Sequence, residues 1–168
     1  LEFTILTAAR SGETLGAKWI EVDIERRLWT VPAERMKAGR EHRVPLCDRA
    51  IAILQEIRKK HADDFVFPGA KRNAGQSNMA LAMVLRRMKL EVTAHGFRST
   101  FRDWVGEATH FPREVAEAAL AHVVGDQTER AYRRGDALEK RRELMASWAG
   151  YCVGEQSNVL VLFKAAQA

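Results

Sequence analysis

The stretch from Trp19 to Leu46 decides the fold. It opens with Trp19-Ile20-Glu21-Val22-Asp23 and continues through Leu28-Trp29-Thr30-Val31-Pro32. After the polar, basic residues 33–41 it closes with His42-Arg43-Val44-Pro45-Leu46. The first segment alternates apolar and polar residues, the period of a half-buried strand. The second is rich in β-branched and aromatic residues and stops at a proline. Lys37-Ala38-Gly39-Arg40 has the composition of a hairpin tip, so the third segment returns beside the second. Three short strands in this order predict a small antiparallel sheet.

Helical signals surround that sheet. Residues 1–10 read as the end of a buried helix stopped at Ser11-Gly12, with one further turn over 13–17. Asp48 is placed to cap a helix carrying Ile51, Leu54 and Ile57 and ending near His61. Phe65-Val66-Phe67-Pro68 is a short extended piece, and residues 71–76 are a polar loop. Ser77 is placed to cap a helix with Leu81, Val84, Leu85 and Met88 on one face. A helix follows from about His95 to Ala108, and another starts at Phe111-Pro112, where proline suits the first turn. Val124-Gly125-Asp126 breaks the chain, and Asp126 is placed to cap the short segment carrying Tyr132. Gly135-Asp136 breaks it again before a helix from about Ala137 to Ala149. The expected class is α+β: a mainly helical domain with a three-stranded antiparallel sheet near its N-terminal end.

Composition bounds the function. A chain of 168 residues, 46% hydrophobic and 29% charged, is long enough for one domain with a real core. It opens on Leu1 inside a helical pattern, so a domain excised from a longer protein is expected. The formal net charge of +5 favours a polyanionic partner, since each neutralised phosphate releases counterions. Cys47 and Cys152 stand far apart without metal-ligand spacing, which points to a reducing compartment rather than a disulfide framework. No apolar run approaches the ~18 residues of a membrane span.

The chemistry lies in scattered polar residues. His95-Gly96-Phe97-Arg98 places a proton-exchanging imidazole and a forked guanidinium on one side of a helix start. Tyr132, one of two tyrosines, sits among Arg130, Arg133 and Arg134. A phenol has an unperturbed pKa of about 10 and needs nearby cations or a base to act as a nucleophile.

Six segments in order resemble the catalytic domain of the tyrosine recombinases, and most closely the phage-type integrases. They are Ala9-Arg10-Ser11-Gly12-Glu13, Lys37 on the hairpin, Arg43-Val44-Pro45-Leu46, His95-Gly96-Phe97-Arg98, Leu120-Ala121-His122 and Thr128-Glu129-Arg130-Ala131-Tyr132. One departure is Ala121, where many relatives have glycine. The resemblance spans residues 1–150 and leaves 151–168 as a C-terminal tail with the apolar strip Val159 to Phe163.

The resemblance implies roles. Tyr132 is the expected nucleophile, forming a 3′-phosphotyrosine link. Arg10 and Arg98 clamp the phosphate oxygens. Lys37 is the expected general acid, with Arg35 and Arg40 as competitors. His95 assists proton transfer. His122 donates to the phosphate, and Glu13 is a supporting carboxylate. No cofactor, metal or ATP is implied. The implied partner is double-stranded DNA, with a homo-tetramer on DNA, a monomer in isolation, and accessory DNA-bending proteins. A smaller N-terminal DNA-clamping domain is expected outside this fragment, and a bacterial, nucleoid-associated cytoplasmic location without a membrane role. A type IB topoisomerase-like strand transferase and an inactive DNA-binding module are the alternatives.

Overall fold

The structure, a computed structural model, describes residues 1–60, 63–71, 73–122 and 136–154. The chain opens with helix α1 (Glu2–Thr7), which ends because Ala8 turns left-handed at φ 48°. Ser11-Gly12 does not stop a helix but begins a short one, α2 (Ser11–Leu15). The sheet follows as β1 (Val22–Asp23), β2 (Leu28–Val31) and β3 (His42–Pro45), in the order β1-β2-β3 with both pairings antiparallel. Trp29 lies opposite Val44, and Val31 opposite His42. Trp29 and Val31 are fully buried, as the two-residue period of β2 requires.

The first strand is shorter than expected. Trp19–Glu21 forms a 3₁₀ turn, and Ile20 is 93% exposed. Glu21 explains the difference. Its carboxylate accepts from the Trp29 indole at 3.0 Å and from Arg35 Nη1 at 2.6 Å. A residue drawn onto the side chains of β2 and the hairpin cannot also keep the pleat of an extended strand.

Helices α3 (Asp48–Lys60), α4 (Ala80–Arg87), α5 (Gly96–Ala108), α6 (Arg113–Ala119) and α7 (Leu138–Cys152) complete the described residues. Asp48 is the first helical residue rather than a cap, and its carboxylate pairs with Arg27. Just ahead of α5, Thr93 Oγ1 accepts from Gly96 N–H at 3.1 Å. Ser77 Oγ accepts from Met79 N–H at 3.2 Å just ahead of α4.

Two apolar clusters share α1 as a wall. On one side Phe3 and Leu6 meet Trp29, Val31, Val44, Leu54 and Val66. On the other, Phe101 and Trp104 of α5, Val115 and Ala119 of α6, and Leu144, Met145 and Trp148 of α7 pack together. Trp148 lies edge-on to Phe101 at 5.3 Å and donates its indole N–H to the Ile5 carbonyl at 2.8 Å. Burying an aromatic of that size stabilises a domain by about 3–5 kcal/mol relative to alanine. Arg141, Leu144, Met145 and Trp148 form the buried face of α7 at helical spacing. Phe101 and Val105 form that of α5, and Arg98 continues the same stripe. A guanidinium is thereby aimed into the seam between the clusters.

Candidate active site

Arg98 is the centre of the site. It is only 6% exposed. One Nη donates to the carbonyl of Ala8, and the other donates to that of Leu120 at 2.8 Å. Both carbonyls are free for geometric reasons. Ala8 is the left-handed residue ending α1, and Leu120 ends α6 just before Ala121, left-handed at φ 51°. Among the described residues no carboxylate pairs with Arg98. Burial pushes its pKa down to about 10, the Arg10 charge adds to that fall, and Glu13 opposes it. The Arg10 and Arg98 charges thus act against each other.

Arg10 is set by Glu13. The Glu13 carboxylate accepts from the Arg10 main-chain N–H at 2.9 Å and from Arg10 Nη1 at 2.7 Å. It thus closes the first turn of α2 and orients the guanidinium together. Glu13 is itself buried. Its main-chain carbonyl accepts from Arg35, whose other nitrogen pairs with Glu21. Arg35 is committed to the base of the hairpin, which distinguishes it from Lys37. Lys37 is exposed near the hairpin tip, as is Arg40, and Gly39 turns there at φ +61°.

His122 joins Arg98 from the other side, its Nε2 standing 3.4 Å from Arg98 Nη2. Its Nδ1 lies 2.7 Å from Oε2 of Glu117. Glu117 was not singled out in the sequence, because a residue five positions before a histidine shares no helix face with it. The reversal at Ala121 joins them: Ala121 N–H bonds to Ala118 and His122 N–H bonds back to Glu117 at 2.9 Å. This is a Schellman closure with the left-handed residue after the last helical turn.

His95 is exposed at the start of α5. Among the described residues no side-chain hydrogen bond links His95 or Lys37 to the Arg10–Arg98–His122 group. Tyr132, with Val124-Gly125-Asp126 and its flanking arginines, lies outside the described residues. Tyr151, the other tyrosine, stacks on Trp104 at 5.4 Å and on Trp148 at 5.5 Å, so its ring belongs to the α5–α7 packing.

Two further groups support the site. His42 Nε2 lies 3.2 Å from the Ala119 carbonyl, next to the Leu120 carbonyl that holds Arg98. Burial pushes His42 down to about 4, and Arg141 and Arg10 lower it further against Glu13 and the Ala119 bond. Asp136 receives a fork from Arg43, at 2.9 and 2.7 Å, and a bond from Arg141 at 2.5 Å. This ties the start of α7 to β3. Arg141, at 1% exposure, is the most deeply buried charge there.

The model of the "Phage integrase family" matches residues 1–139. The prophage integrase IntA of Escherichia coli K12 is 38% identical over 162 residues, covering 94% of this chain and 39% of that protein. The integrase of Enterobacteria phage P4 is 31% identical over 170 residues, covering 90% of this chain and 39% of that protein. The chain thus spans about two-fifths of the length of these relatives. Among solved structures, the integrase from mycobacterium phage Brujita superposes with a TM-score of 0.66 at 20% identity, over 86% of this chain and 50% of its own. The XerA recombinase gives 0.60 at 18%, over 86% and 55%. These two likenesses bear on the fold: helices around a small antiparallel sheet. With the sequence matches beside them, the chain belongs to the phage integrase family of tyrosine recombinases.

Proposed function

We propose that this chain is the catalytic domain of a site-specific DNA integrase that cuts and rejoins strands through a 3′-phosphotyrosine intermediate. The observation that carries the reading is Arg98. It is a buried guanidinium anchored on two main-chain carbonyls and opposed by a second guanidinium. A buried, preorganised guanidinium with a second positive charge acting on it stabilises a doubly charged phosphorane more than it stabilises the empty site. Preorganisation of this kind is the main contribution protein makes to phosphoryl chemistry.

In this reading the Tyr132 oxygen attacks phosphorus and the P–O5′ bond breaks. The phenolic proton passes to His95, and Lys37 gives a proton to the departing O5′. Arg10, Arg98 and His122 hold the non-bridging oxygens, and Glu13 holds Arg10. The phosphotyrosine ester conserves the bond energy, so rejoining reverses the same steps. Lys37 suits the leaving-group side because the hairpin carries it out from the core. Double-stranded DNA is the substrate, bound as a homo-tetramer with a second, N-terminal domain completing the clamp. The part of the 151–168 tail beyond α7 would pack on a neighbouring subunit. The location is the bacterial cytoplasm, on the nucleoid.

The test is a nicked suicide duplex carrying the attachment sequence. Wild type is expected to form a covalent 3′ adduct, and Tyr132→Phe none. An adduct undiminished in the Phe variant would remove Tyr132 as nucleophile. Strand relaxation without exchange on a Holliday junction would favour a type IB topoisomerase-like activity. Salt-sensitive binding with no adduct in any form would leave a DNA-binding module.

A further inference from the structure

We propose that Glu117 is a positioning residue that fixes the tautomer and orientation of His122. The inference rests on the reading of His122 as a phosphate donor. It starts from a buried carboxylate that the family motif does not include. Glu117 is 8% exposed at its side chain, in a helix whose neighbouring buried residues are Val115, Ala116 and Ala119. Its two oxygens are separately engaged. Oε2 faces His122 Nδ1 at 2.7 Å, while Oε1 accepts from Arg102 Nε at 2.8 Å, with Arg113 Nε at 3.7 Å. Burial alone pushes this carboxyl up, but the hydrogen bonds from His122 and Arg102 outweigh it and hold the group below the usual carboxylate range.

The consequence is a matter of donors and acceptors. An ionised carboxylate only accepts, so the neutral ring carries its proton on Nδ1. On the far side, Arg98 Nη2 only donates, and it faces Nε2 at 3.4 Å. Both neighbours thus demand the same tautomer. Nε2 is left as the free nitrogen beside the Arg10–Arg98 pair. When a phosphate oxygen arrives and Nε2 takes a proton, the ring becomes a charged donor whose charge Glu117 balances. This is the relation by which a buried carboxylate holds a catalytic imidazole in its working tautomer. The Schellman turn makes it available: the backbone that presents His122 also returns it over Glu117.

Glu117→Gln tests the inference. The amide oxygen must stay on Arg102, which only donates, so the amide NH₂ faces Nδ1. That forces the proton to Nε2, where it meets the Arg98 donor. Single-turnover cleavage at saturating DNA and low salt is expected to fall about 10–100-fold, with DNA affinity changed less than about twofold. In a His122→Ala background the same substitution should add no further loss. A bare α5–α6 ion pair would instead lower stability and leave cleavage alone. Wild-type cleavage by Glu117→Gln, or a full second loss in the His122→Ala background, would overturn the proposal. A measurement that needs neither activity nor the Glu117 variant is the ring-nitrogen NMR spectrum of wild type at alkaline pH, with the His122 resonance identified by its absence in His122→Ala. A proton on Nδ1 supports the inference, and a proton on Nε2 refutes it. If wild type forms no adduct at all, the reading of the enzyme fails while the spectrum still judges Glu117.

Discussion

Acidification from about pH 7 to about pH 5 should cost this domain stability through one half-buried imidazole, His42. Its pKa is pushed from 6.5 down to about 4, by burial first and by the Arg141 charge second. The unfolded chain therefore binds more protons than the folded one between those values, so stability falls as the pH falls through that window. Integrating for a single site gives a loss of about 2 kcal/mol between pH 7 and pH 5. Carboxylates held low in the fold, Glu2, Glu117 and Asp136, add their losses further down, as the pH passes below about 4. Urea unfolding across the range measures the effect. His42→Gln is the control, since its amide N–H can still donate to the Ala119 carbonyl that His42 Nε2 faces at 3.2 Å. The difference between the two profiles isolates His42. Parallel profiles, or a wild-type loss below about 0.5 kcal/mol, would refute the reasoning, because a solvated His42 would bind protons equally in both states.

Three other outcomes follow from the same geometry. Ala121→Gly should raise stability by about 0.5–1 kcal/mol in thermal unfolding, because φ 51° strains an L-residue by more than glycine loses in chain entropy. Arg98→Lys should lower single-turnover cleavage at least about 100-fold, since a single ammonium nitrogen cannot replace the two separate Nη atoms that reach the Ala8 and Leu120 carbonyls while also presenting the planar fork to a phosphate. Asp136→Asn should cost about 2 kcal/mol in urea unfolding, less than a fully buried pair would, because the carboxylate is 37% exposed while Arg141 beneath it is not.

The parts of the fold legible in the sequence are those set by local period. The β-branched and aromatic run Leu28 to Val31 forms β2, and the His95 to Ala108 segment forms α5. Where a long-range partner competed, the local reading failed. Glu21 belongs by pattern to a strand, yet Trp29 and Arg35 take its carboxylate and the backbone turns. Glu117 carries no local signal in the sequence; the turn at Ala121 brings His122 over it. At Ala121, where the sequence departs from the glycine of many relatives, the φ of 51° is one that glycine adopts most easily.

The sequence by itself determined the inventory: two arginines, a lysine, two histidines and a tyrosine in an order that identifies the family. Side-chain chemistry and spacing along the chain suffice for that. Only the tertiary structure decided which of them share charge and hydrogen bonds. Arg98 reaches carbonyls 90 and 22 residues away, and Arg10 is held by Glu13. Such contacts depend on where two helices happen to end, at Ala8 and Leu120. A helix end exposes carbonyl oxygens that no residue type announces.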